Sequence, residues 1–211
     1  MQRHEVLDFW FGSPRPETPE EIRRHATNVW RAGASIDDAV RERFGAAFEQ
    51  AVDGALDHWC ETLQGKLALL ILLDQFSRHI HRDTEAQYRG DAKALQLARE
   101  LHDGDEHEQL TFMERAWAMM PFAHHESIDS ARRAIEIADA LKAAAPPHLE
   151  AFADIGCQQS RRALAIFERF GRYPHRNAIL GRQSTAEEEA FLRDYRHGPT
   201  AAVLEKAGIE R

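Results

Sequence analysis

Three separated stretches carry the side chains best suited to chemistry. The segment DQFSRHIHR (74–82) holds Asp74, Gln75, Arg78, His81 and Arg82. The segment HHE (124–126) sets His124 and His125 beside Glu126. The segment FGRYPHRNAILGR (170–182) supplies Arg172, His175, Arg176, Asn177 and Arg182, and no acid interrupts the run from Arg169 to Arg182. Guanidinium and amide donors on a shaped loop suit a carboxylate or a phosphate. Imidazole beside carboxylate suits proton transfer near neutral pH. The candidates for catalysis are therefore His124, Glu126, Asp74 and His175, and those for ligand binding are Gln75, Arg78, Arg172, Arg176, Asn177 and Arg182.

Each stretch also has a structural explanation. Arg169 and Arg172 near a helix C-terminus would complement its partial negative charge, and Asn177 would cap a turn. Asp74, Arg78 and Arg82 stand at i,i+4 steps on one helix face, the pattern of an ion-pair network at the edge of a core. Adjacent side chains on a helix diverge by about 100°, and His124-His125-Glu126 is not HExxH. No ligand set has zinc spacing, so neither metal nor cofactor is expected. GxSxG, GxxxxGK[ST] and GxGxxG are absent, which removes the motif support for a serine hydrolase, a P-loop NTPase or a Rossmann enzyme.

The 211 residues suit one domain, 1–211, with 43% apolar and 29% charged residues. A formal net charge of -8 argues against nucleic acid or an anionic bilayer as partner. Cys60 and Cys157 form no CxxC, which suits reduced, packed thiols in a cytoplasmic protein. The N-terminal MQRHEVLDFWFG lacks the apolar run of a signal peptide. The longest such run, LALLILL (67–73), falls far short of the roughly 20 residues of a membrane span. Trp10, Trp30, Trp59 and Trp117 are dispersed, as expected for packing between helices.

The elements that must position the three stretches read as helices throughout. Val6, Leu7, Trp10 and Phe11 share one face of an opening helix. Thr18-Pro19 starts a second that runs to about Trp30, and Ser35 with Asp38 resembles a capping box. The most apolar helix spans about 66–81, and Thr84 with Gln87 opens another towards His102. Helices over about 106–119, 126–144 and 148–169 follow, the last closed by Gly171. Ser184 with Glu187 and Thr185 with Glu188 open a helix to Tyr195, and the tail GPTAAVLEKAGIER suggests a short final one. Between Gly171 and Gly181 the chain forms a loop of defined shape. The expectation is an all-α chain of about nine or ten helices joined by short connections. Its helices would pair antiparallel in a TPR-like or α-solenoid-like array, although no clean repeat of roughly 34 residues can be read.

Four blocks together resemble one bacterial family: DFWFG (8–12), LALLILLDQFSRHIHR (67–82), MPFAHHES (120–127) and FGRYPHRNAILGRQSTAEE (170–188). This is the domain of unknown function 924 family, described as all-helical and TPR-like, and the blocks span almost the whole chain in the expected order. The resemblance implies the fold and supplies no activity, substrate or cofactor. Members more often read DQFPRN, so Ser77 and His79 here replace proline and asparagine, and His125 stands at a serine position. Two functions stay open. One is an Arg- and His-lined pocket for a small anionic molecule, with or without catalysis. The other is a peptide-binding helical scaffold in which the same cluster is structural.

Overall fold

The computed structural model describes residues 1–16 and 18–195. Among these no strand occurs, and the chain is all-α. The helices are α1 (Arg3–Phe11), α2 (Pro19–His25, extended by a π turn over Ala26–Trp30), α3 (Asp37–Val52) and α4 (Leu63–Ile71). Then follow α5 (Ser77–Ile80), α6 (Asp91–Asp103), α7 (Phe112–Ala118), α8 (Met120–His124), α9 (Ile128–Ala143), α10 (Glu150–Phe170) and α11 (Ala186–Asp194). A π turn over Leu72–Phe76 joins α4 to α5 as one continuous helix, which keeps the number of separate helices close to expectation. The helix suggested for the C-terminal tail lies outside the described residues.

The composition of α4 explains why the rest of the molecule gathers round it. The Thr62 hydroxyl accepts from the Gly65 amide at 3.2 Å and opens the helix. Every residue from Leu67 to Leu73 is fully buried, so no face is left for water. The remaining helices must supply a shell, and α1, α3, α6 and α7 all pack against α4 or its continuation. Each fully buried leucine or isoleucine contributes roughly 1.5–3 kcal/mol of transfer free energy. Phe9, Phe44 and Phe76 interlock at 4.6–5.6 Å between ring centres, and Trp10 meets Trp117 at 4.9 Å. Pairing in succession is clearest in α9 and α10. Arg161 bonds Asp139 at 2.7 Å and Lys142 bonds Asp154 at 2.6 Å, the nested order of an antiparallel hairpin.

Two starting signals act differently from the expectation. Ser35 lies in a 3-10 turn, Gly33–Ile36, where its hydroxyl donates to the Ala32 carbonyl, and no side chain caps α3. Thr84 likewise turns its hydroxyl to the His81 carbonyl at 2.7 Å, and Glu85–Tyr88 forms only one 3-10 turn. The long helix α6 starts later, after Gly90. A Cβ on Gly90 would stand 2.4 Å from the Leu73 carbonyl oxygen, so the crossing over the central helix admits only glycine. By contrast the Thr18–Glu21, Thr111–Glu114 and Thr185–Glu188 capping boxes are complete. None of the described helices is long and apolar enough to cross a membrane.

Candidate functional site

The π turn decides where the first polar residues point. Asp74 and Gln75 lie inside it, where one extra residue per turn re-aims the side chains that follow the apolar run. Asp74 is fully buried, and its carboxylate would be costly without partners. It has several. The Gln75 amide donates to Oδ2, and the His124 ring meets Oδ1 through Nδ1 at 2.8 Å. Arg78 donates through Nη1 to the Asp74 main-chain oxygen and approaches its carboxylate at 3.6 Å. The fork of Arg78 grips Asp91 instead, at 3.0 and 3.1 Å. A carboxylate on Nδ1 fixes the tautomer that leaves Nε2 as the basic nitrogen. That nitrogen has no hydrogen-bond partner among the described residues, and the His124 side chain keeps 21% of its surface exposed.

The basic loop is shaped as its glycine and proline require. Gly171 closes α10 in the left-handed region, φ 66°, Tyr173 is extended, and Pro174–Arg176 makes a single 3-10 turn. Most of the loop's charge is then matched by acids. Arg172 holds Glu188 at 2.7 and 2.8 Å and the Gln183 carbonyl at 3.0 Å. Arg182 holds Glu126 at 2.7 and 3.0 Å, while Glu126 also accepts the Tyr173 amide at 2.8 Å. The Asn177 amide donates to Ser184 at 3.0 Å and to Glu188 at 3.3 Å. Arg176 is the exception. It is 8% exposed, its Nη2 donates to the His124 carbonyl at 2.7 Å, and its nearest acid, Asp91, stands at 4.0 Å. Its guanidinium lies against the Tyr88 and Tyr173 rings, 4.7 and 4.9 Å from their centres. The buried Nε of Arg176 has no partner among the described residues, nor has the Nε of Arg182.

The electrostatics follow this unequal pairing. Burial by itself would push the Asp74 carboxyl up, but His124 and Arg78 hold it below its ordinary value. Glu126 behaves alike, with burial opposed by Arg182 and the Tyr173 amide. Glu188 is held down at about 2, chiefly by Arg172 and then by the Thr185 amide. Arg176 moves the other way: burial and then the like charge of Arg78 lower its proton affinity. The least compensated charge of the cluster therefore sits on Arg176.

The three stretches thus meet around Asp74, His124 and Arg176, with Gln75, Arg78, Glu126 and Arg182 beside them. Arg172 and Asn177 serve the α10–α11 corner. His175 lies between the rings of Tyr173, 5.6 Å away, and Tyr195, 5.1 Å away. Sequence reasoning missed Asp91, Tyr88 and Tyr173. Asp91 directly follows Gly90, the glycine that lets α6 cross the central helix, and no local pattern signals that crossing. Among the described residues no group of three His, Cys, Asp or Glu is placed to hold a metal ion.

A helical shell around one apolar helix, with an ion-pair cluster where that helix turns polar, defines a class of small all-α protein. The chain belongs to the family described as bacterial protein of unknown function (DUF924), whose model matches residues 6–195. A solved structure of a protein of unknown function from Agrobacterium tumefaciens is similar, with 28% sequence identity and a TM-score of 0.73. The likeness covers 92% of this chain and 97% of that one. No curated protein matches the chain.

Proposed function

We propose that the chain binds a small anionic molecule, bearing a carboxylate or a phosphate, beside His124, and that the Asp74–His124 pair moves a proton to or from it. The observation that carries this reading is the pair itself. A fully buried carboxylate holds one ring nitrogen, while the other has no partner among the described residues. In that tautomer Nε2 takes a proton from an acidic group of the ligand or from water, and Asp74 stabilises the imidazolium that forms. Arg176 supplies the anchor, because its buried guanidinium lacks a close carboxylate and has an unmet donor. Arg78 and Arg182 support the wall without donating a free charge, since Asp91 and Glu126 already occupy their forks. The reaction class is proton transfer on a small carboxylate or phosphate ester.

The test is a thermal-shift screen with phosphorylated and carboxylated metabolites on the native chain and on Arg176→Lys, Arg172→Ala and His124→Gln. A ligand present at a hundred times its Kd stabilises the native state by about 2.7 kcal/mol. The expected pattern is a shift in the native chain and in Arg172→Ala, a reduced shift in Arg176→Lys, and a retained shift in His124→Gln. Turnover of the ligand so found should fall by roughly 10²–10⁴ in His124→Gln. A shift unchanged in Arg176→Lys would remove the anchor from the proposal, and undiminished turnover in His124→Gln would remove the base.

A further inference from the structure

Between the α2 extension, α7, α8, α9 and α10 the described residues line a hollow of about 240 Å³. Its walls are apolar and aromatic: Trp30, Phe112, Trp117, Met120 and Phe152. An engineered cavity of about 150 Å³ with such walls stays dry and takes benzene, so this one has room for a larger body. Three observations say what that body is like. First, the charged lining residue, Arg31, already has a partner, so the site presents no free charge to an ionised ligand. Second, Ser160 lines the hollow, is 1% exposed, and its hydroxyl has no hydrogen-bond partner among the described residues. A helical serine usually bonds back to the carbonyl one turn earlier, and this one does not. Third, Gly156 sits inside α10 on the same wall, where a Cβ would meet nothing within 4 Å. Glycine in a helix interior is unfavourable, and here it leaves the space unfilled.

We infer that this hollow is a binding site for a small uncharged molecule with a flat or aliphatic apolar body and one hydroxyl or carbonyl group. The body packs against the tryptophan, phenylalanine and methionine walls, and the polar group meets the Ser160 hydroxyl, with Gln159 beside it. Aromatic and methionine walls adapt to such a body, and one or two polar groups fix its orientation. The site is separate from the Arg176 cluster and needs none of its residues.

The test uses the full chain and the neutral fluorescent probe N-phenyl-1-naphthylamine, displaced by 2-naphthol or by 2-methylnaphthalene, which has a methyl in place of the hydroxyl. Saturable one-to-one probe binding is expected, with 2-naphthol competing about 3- to 10-fold better, the usual worth of one net hydrogen bond. Ser160→Ala should erase that preference while leaving probe affinity within about two-fold. Gly156→Leu, which places its side chain in open space, should abolish probe binding while the melting temperature holds or rises. Probe binding that survives Gly156→Leu would overturn the proposal, as would equal competition by the two naphthalenes. Binding that appears only after removal of residues 196–211 would also overturn it, by showing that the chain itself is the occupant.

Discussion

The central helix carries two histidine–carboxylate pairs with one contact geometry and different surroundings. In the first, Asp74 meets Nδ1 of His124 at 2.8 Å, and in the second, Asp37 meets Nδ1 of His79, again at 2.8 Å. Around Asp37 the fork of Arg82 closes on both carboxylate oxygens, and His79 is 8% exposed with its ring against Trp10. Around Asp74 the nearby Arg78 turns its fork away to Asp91, and the partner histidine keeps one edge towards water. A carboxylate saturated by arginine and a buried ring make a brace. A carboxylate left mainly to a histidine, with that histidine open on its other side, is the arrangement on which the proposed role of His124 as a base rests. The contact distance alone does not separate the two.

The largest effect that could break this comparison comes from removing the carboxylates. Asp74→Ala strands His124, Gln75 and part of the Arg78 pairing in a fully buried place, and should lower stability by about 3–5 kcal/mol. Asp37→Ala should cost less, about 2 kcal/mol, because the Arg82 side chain is 34% exposed and can turn to water. Urea unfolding of the two variants gives the order directly. A larger loss for Asp37→Ala would mean that the second pair carries the more isolated charge.

The histidines themselves give the intermediate effect, and in the opposite order. His79→Gln puts a differently shaped amide against Trp10 in a filled site and should cost about 1–2 kcal/mol. His124→Gln keeps a donor for Asp74 and has solvent on its outer side, so its change should stay at or below about 1 kcal/mol. Equal losses in the two variants would make His124 a brace as well.

Much of this arrangement was legible in the residues. The apolar run from Leu67 to Leu73 announced a helix without a wet face, and a carboxylate directly behind it demanded partners. Thr18 announced a helix start through the proline that follows it, and Thr185 through the glutamate three residues on. Ser35 and Thr84 carry similar spacing and do not cap, because each hydroxyl instead donates to the carbonyl three residues back, that of Ala32 or of His81. The pairing of the arginines was not legible. Arg172 and Arg182 reach acids 16 and 56 residues away, and only Arg176 is left without a close one. Which guanidinium stays uncompensated depends on such long-range neighbours, and no local pattern encodes it.

The smallest effect is one of slope, and it tests whether His79 is the closed member of the comparison. Burial lowers its proton affinity below the ordinary value of 6.5, against the opposing pull of Asp37, while Arg82 adds to the depression. As pH falls through that ordinary range, the unfolded chain takes up a proton that the folded chain resists, so stability present above pH 6.5 declines below it. The Asp37 carboxyl is itself held below its ordinary 3.8, despite burial, by Arg82 and His79, so its own contribution disappears only further into acid. Urea midpoints between pH 7.5 and pH 5 should therefore fall less steeply in His79→Gln than in the native chain, with the two curves converging towards the acid end. Parallel curves across that window would mean that the His79 ring accepts a proton as readily folded as unfolded, and the closed character assigned to this pair would have to be given up.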